Sequence, residues 1–195
     1  MNRLVHLEVL VEDRSGKMFL DPLLRRLLAG VGRDVEVAIR PHRGKGRLPA
    51  DPSARPDRFA SGLMDLLPAR MRAYSAVFAP GTHGIVVVLD SDEEDPETVR
   101  TRIDRLSRPY RNGLPVVIGI SVEEMESWML ADRAAILSAF PRADPRVLDA
   151  YSQDSVCGTW ELLARAILGD EAEDLIELGY PAVGRYKAEW ATRIG

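Results

Sequence analysis

Ile85-Val-Val-Val-Leu-Asp-Ser-Asp-Glu-Glu-Asp95 is the stretch on which the reading of this chain turns. Five aliphatic residues follow Gly84, and charge begins at once after them, the pattern of a strand buried on both faces that ends at Asp90. In an open α/β sheet, ligands bind outside the carboxyl ends of the strands. Asp90 and Asp92 can both turn toward one point there once strand gives way to loop. Two hard oxygen donors at that spacing suit Mg²⁺ or Mn²⁺, with waters and a phosphate completing the shell. Asp95 and Pro96 have a plainer explanation, as the N-cap and first residue of the next helix. Asp90 and Asp92 do not, because two like charges beside a buried strand are costly unless a cation offsets them.

Working outward, Leu4 to Val11 reads as a first strand that runs into a turn at Glu12, which places Glu12 where Asp90 stands, at a strand's carboxyl end. Met18, Phe19, Leu23, Leu24 and Leu27 then recur at helical spacing, with Pro22 either bending the helix or marking a late start capped by Asp21. Asp34 to Arg40 alternates in polarity and predicts a strand with one wetter face, near a sheet edge. A helix is expected from Phe59 to Tyr74, another from Glu97 to Arg108, and a buried strand from Pro115 to Ile120. Strands and helices in this order imply right-handed crossovers and a mainly parallel sheet of about four strands.

After that last strand, Ser121 and Glu124 have the spacing of a capping box. Glu126, two residues on, has no such explanation and lies near the same end of the sheet as Glu12 and Asp90. From residue 133 the chain reads as short helices separated by Pro141, Gly158, Gly169 and Gly179, a C-terminal segment packed on the α/β domain of residues 1–132. Lys187 in that segment is expected to be an exposed, solvated lysine.

Residues 40–58 differ in character. Pro41, Pro49, Pro52, Pro56, Gly44 and Gly46 interrupt regular structure while Arg40, Arg43, Lys45, Arg47, Arg55 and Arg58 supply charge, so a long, mobile, basic loop is expected. From Arg40 to Arg72 there are eight Arg or Lys against three Asp, in a chain of net charge −4. Positive charge is therefore concentrated beside the strand-end acids, and Arg40, Arg43, Lys45 and Arg47 are candidate phosphate or nucleic-acid contacts.

Composition narrows the function classes. With 195 residues and 46% hydrophobic content the chain can bury a full core, and its single cysteine, Cys157, excludes an internal disulfide framework. His6, His42 and His83 do not match a zinc spacing. The N-terminus carries no signal-like pattern and no apolar run approaches the roughly 18 residues of a membrane span, so a cytoplasmic protein without membrane association is expected.

Three motifs occur in order: Val-Glu-Asp-Arg-Ser-Gly-Lys-Met-Phe-Leu (Val11 to Leu20), the Asp-x-Asp of Asp90 and Asp92, and Glu-Met-Glu-Ser-Trp-Met-Leu-Ala-Asp (Glu124 to Asp132). Together they resemble a bacterial family known as domain of unknown function 4276, itself similar to the TOPRIM metal-binding fold of topoisomerases, primases and overcoming-lysogenization-defect type nucleases. The resemblance covers about the first two-thirds of the chain. It implies a TOPRIM-like α/β domain in which Glu12 moves protons, Asp90 and Asp92 hold Mg²⁺ or Mn²⁺, and Glu126 is a further catalytic acid.

Such a constellation suits phosphodiester chemistry, in which a metal neutralises non-bridging oxygens and a carboxylate handles protons. The expectation is a metal-dependent nuclease or related phosphoryl-transfer enzyme acting on nucleic acid, in a phage-defence or genome-maintenance setting as the resemblance implies. Two other readings stand beside it: a non-catalytic interaction module working with a partner protein such as an ATPase, and a small-nucleotide enzyme using the same acids.

Overall fold

Val9, Leu10 and Val11 of strand β1 (Val5–Val11) and Val87 and Leu89 of β3 (His83–Asp90) are all but sealed from solvent, because these two strands form the centre of the sheet. The computed structural model describes residues 4–195. Its four strands are all parallel, in the order β2-β1-β3-β4, with β2 (Val35–Pro41) and β4 (Val116–Ser121) at the edges. The apolar run before Asp90 is thus a central strand, and the alternating run from Val35 is an edge strand. The α/β class and the mainly parallel four-stranded sheet expected from the sequence are what the chain adopts.

Successive side chains on a strand point to opposite faces, and the two faces have separate cores. On one, Leu10, Ile85, Val87 and Ile120 pack against α2 (Leu63–Val77) and α3 (Pro96–Ser107). On the other, Val9, Val11 and Val88 pack against α1 (Arg14–Leu28) and the C-terminal helices. Those helices are α4 (Glu126–Leu130), α5 (Arg133–Ala139), α6 (Pro145–Asp149), α7 (Thr159–Leu168), α8 (Ala172–Leu178) and α9 (Ala182–Ile194). Trp190 and Ile194 of α9 share one cluster with Phe19 of α1 and with Val9, so the segment after residue 132 completes the core under β1. Among the described residues no helix is long and apolar enough to cross a membrane.

This arrangement positions the site. The chain leaves β1 into α1 on one face and leaves β3 into α3 on the other, so the two central strands part company at their carboxyl ends. That is the topological switch point, where open α/β sheets leave room for a ligand.

Several local expectations are corrected. Helix α1 starts at Arg14, where the Asp13 side chain accepts from the Gly16 N–H at 2.8 Å, and it is continuous through Pro22, so it has no late start at Asp21. Helix α2 starts at Leu63 and not at Phe59, because Asp65 holds the preceding turn, accepting from Gly62 N at 3.1 Å and from Arg47 N at 2.8 Å. The capping box of Ser121 and Glu124 does not form: Ser121 is the last residue of β4, and helix begins only at Glu126.

Candidate functional site

Glu12 and Asp90 stand at the ends of neighbouring strands, and the Asp90 N–H donates to Glu12 Oε2 at 3.3 Å. Burial pushes the Glu12 carboxyl from its ordinary 4.5 up to about 7. The Asp90 N–H opposes that shift, the charges of Asp92 and Asp13 add to it, and Lys45 again opposes it. Asp90 lies deeper. Burial raises its pKa well above the ordinary value and the Glu12 charge raises it further, while the hydroxyl of Ser121, its register partner on β4, opposes the rise by donating to Oδ1. Two carboxyls whose charged forms are both disfavoured therefore stand within electrostatic reach of each other at the switch point.

Above them lies a rim in which charges are paired. The segment after β2 crosses the end of β1, with the Gly44 N–H donating to Glu12 O at 3.0 Å and the His42 N–H to Val11 O at 3.0 Å. This crossing carries Lys45 to the end of β3, where its Nζ donates to Ser91 O at 3.1 Å and to Asp92 Oδ2 at 2.7 Å and stands 3.2 Å from Glu94 Oε1. Burial works against the Lys45 charge, but Asp92 and then Glu94 outweigh it and push its pKa up. Arg102 of α3 reaches the other Glu94 oxygen at 2.7 Å. Gly46 makes the crossing possible, since its φ is +67° and a Cβ there would stand 2.6 Å from the Asp65 carboxylate.

Beneath Asp90, on the α1 face, is a second charged group. Lys187 of α9 lies 3.1 Å from Glu126 Oε2 and 3.3 Å from Glu124 Oε2. Burial disfavours the lysine's charge, but the two carboxylates overcome it and hold Lys187 protonated. Burial pushes Glu126 up and Glu124 up to about 7, with Lys187 opposing both. Glu126 also adds to the rise at Asp90, and Lys187 opposes it, so the two groups sense each other.

The loops after β3 and β4 are joined side by side. Asp92 N donates to Glu123 O at 3.0 Å and Glu123 N to Ser91 Oγ at 2.9 Å, while Asp92 and Glu123 hold φ of 51° and 62°. Left-handed backbone at non-glycine residues is unfavourable and persists where the surroundings over-determine it. Here they do, because the Glu123 carboxylate also accepts from Gly158 N and Thr159 N, each at 2.9 Å, at the start of α7. One carboxylate thereby ties the C-terminal helices to the strand-end turn.

Of the acids named from the sequence, Glu12 and Asp90 are brought into contact, Glu126 is within electrostatic reach of Asp90, and Asp92 is turned outward onto Lys45. Of the basic residues, Lys45 joins the site. Arg40 instead bonds Glu8 at 2.8 Å, and Tyr74 donates to the same oxygen at 2.9 Å. Arg43 and Arg47 are exposed near the loop's anchored foot, with no ion pair among the described residues. The expected exposure of Lys187 is corrected: it is 7% exposed. Reasoning from the sequence also misses Ser121 and Glu123. Lys187 does leave a signal, because Val183, Lys187, Trp190 and Ile194 form one helical stripe on which only the lysine is polar.

Among the described residues no three Asp, Glu, His or Cys side chains cluster closely enough to cage a metal ion. Glu12 and Asp90 instead fit the one or two carboxylates with which Mg²⁺ is bound when waters and a phosphate supply the other ligands. Asp92 Oδ2 is already taken by Lys45. Comparison of the chain with protein-family models, curated proteins and solved structures finds no match.

Proposed function

We propose that the protein is a divalent-metal-dependent phosphodiester hydrolase, of the TOPRIM-like nuclease kind, whose site is the carboxyl end of β1 and β3. The observation that carries this reading is the contact of Glu12 with Asp90 at the topological switch point, where burial disfavours both charges at once. Such a pair is relieved by a proton or by a divalent cation. When bound, Mg²⁺ or Mn²⁺ would supply charge neutralisation at the phosphate and a more acidic water.

The chain's own residues have separable tasks. Asp90, fixed by Ser121 and by its place at the end of β3, is the metal-holding carboxylate. Glu12, at the end of β1 and partly open to solvent, is placed to accept a proton from the attacking water. Glu126 and Lys187 form the charged floor under Asp90. Lys45, pinned across the site by Asp92, and the exposed Arg43 and Arg47 favour a polyanionic substrate.

The test is calorimetric titration of Mg²⁺ and Mn²⁺ together with cleavage of labelled oligonucleotides. Wild type should bind metal and cleave, and Asp90→Asn should do neither. Metal-independent cleavage, or cleavage retained by Asp90→Asn, would sink the proposal.

A further inference from the structure

Between the foot of the basic loop and α2 the chain exposes an aromatic ring that contributes to neither core. Phe59 is 75% exposed, the most open of the large hydrophobic side chains described. Its place is set by its own turn: the Phe59 N–H donates to Asp57 Oδ1 at 2.8 Å and the Ala60 N–H to Asp57 O at 3.0 Å. The Arg58 guanidinium lies over the ring, 4.3 Å from its centroid. Two residues on, Ser61 O accepts from Arg43 N at 2.9 Å, and Gly44 next to it is bonded to Glu12. The ring is therefore carried by a turn that is stitched to the end of β1.

Its neighbours in the loop include cations without an acidic partner. Arg40 is committed to Glu8, and Lys45 to Asp92 and Glu94. Arg43, Arg47, Arg55 and Arg58 are exposed and form no ion pair among the described residues. An exposed aromatic ring with one such guanidinium over it and three more on the same loop is the combination by which proteins hold unpaired bases: the ring stacks on a base and the arginines follow the phosphates. Bases within a duplex are already stacked and offer no face to such a ring.

We propose that Phe59, backed by Arg58, is a stacking platform for an unpaired base, so that the ligand at this edge is single-stranded nucleic acid. The inference rests on the hydrolase reading for what happens to the strand, but its binding step is measurable without metal. Charge favours nucleic acid over a protein partner here, since the stretch from Arg40 to Arg58 carries six basic residues against two acidic ones in a chain of net charge −4.

The experiment is fluorescence anisotropy of a labelled oligothymidylate of about 16 nucleotides, and of a duplex of equal length, in EDTA. Phe59→Ala should weaken single-strand binding roughly five- to hundredfold, leave duplex binding unchanged, and leave the salt slope as in wild type, since the ring neutralises no phosphate. Phe59→Trp should keep the affinity. Because the ring is exposed, neither substitution should move the melting temperature, which excludes a folding defect as the cause. The proposal is overturned if wild type does not bind the single strand, if Phe59→Ala binds it as wild type does, or if single-strand and duplex binding fall together. It is equally overturned if Phe59→Ala dissolves a self-association and spares oligonucleotide binding, which would make the surface a protein interface. Cleavage plays no part in this readout, so a failure of the hydrolase reading shows separately, as binding without metal-dependent turnover.

Discussion

The charged groups at the strand ends divide into a floor and a rim, built from the same residue types with opposite consequences. In the rim, half-exposed Glu94 stands between Arg102 and Lys45, which hold its carboxyl below the ordinary carboxylate range. In the floor, Glu124 and Glu126 share Lys187, yet both are pushed up, because withdrawal from water costs their charged forms more than one lysine returns. Two cations reach Glu94 in the rim, one cation serves two acids in the floor, and in the floor burial is the largest cause of the rise. A floor that disfavours negative charge next to Asp90 keeps strain in the place where a proton or a cation can relieve it, while the rim is already neutralised and contributes little.

The largest expected effect follows from breaking the floor. Lys187→Met leaves Glu126, 1% exposed, without its counter-ion, and removing one partner of a buried pair costs about 3–5 kcal/mol. Chemical denaturation should show that loss, and Glu126→Gln in the same chain should recover a substantial part of it. The matching rim variant, Arg102→Met, should change stability by about 1 kcal/mol or less. Equal costs for the two would remove the distinction between floor and rim.

Next in size is the response to metal. If the Asp90 carboxyl is the acceptor, Mg²⁺ or Mn²⁺ at about a hundredfold its dissociation constant should stabilise the fold by about 2.7 kcal/mol. Thermal melts should show this in wild type and lose it in Asp90→Asn, whose metal-free form should melt higher than wild type because a buried charge that repels Glu12 has been removed. A wild-type melting temperature indifferent to metal would remove Asp90 from the set of ligands.

Floor and rim are each partly legible in the sequence. The β3 run, the stop at Asp90 and the helix start at Asp95 and Pro96 are local signals, and each local requirement agrees with the fold: burial on both faces, charge at the strand end, a cap that accepts from Thr98 N at 2.7 Å. Glu12 is legible for the same reason. Ser121 is misread because its capping-box spacing is equally local, whereas the competing partner, Asp90, lies 31 residues away across the sheet. Lys187 is misread because burial of a lysine is decided by its counter-charges, and these come from the loop and helix after β4. Outward rotation of Asp92 is likewise invisible, since it depends on how far the segment after β2 reaches across β1.

A third prediction uses pH to grade the floor. Glu12 and Glu124 each titrate at about 7 in the folded chain against an ordinary 4.5. An acid with a raised folded pKa binds its proton more tightly when folded, so its stabilisation is complete below 4.5, is lost as pH rises toward about 7, and changes no further above that. The melting temperature should therefore fall across that window, and Glu124→Gln should flatten the fall without abolishing it. Saturating Mg²⁺ should flatten it too, by favouring the charged form of Glu12. Glu94 in the rim gives the opposite sign, losing stability only in stronger acid, since its folded pKa is depressed. A melting temperature flat from 4.5 to 7 in wild type would mean that Glu12 and Glu124 are better hydrated than their packing indicates.

The smallest effect on stability is expected where the effect on binding is cleanest. Arg43, Arg47 and Arg55 are exposed and without ion pairs among the described residues, so replacing all three by Ala removes charge and almost no packing. Melting temperature should stay within the spread of repeat measurements. Lys45→Ala should not be so mild, because it frees Asp92 beside Glu12 and leaves Glu94 with Arg102 alone. In binding, each phosphate that an arginine neutralises on a single strand adds roughly 0.7 to the dependence of log K on log salt, so the triple variant should flatten that dependence by up to about 2. A triple variant with the wild-type slope would show that these guanidinium groups only solvate the loop. The rim would then end at Lys45, and a polyanionic substrate would lose its support from the loop.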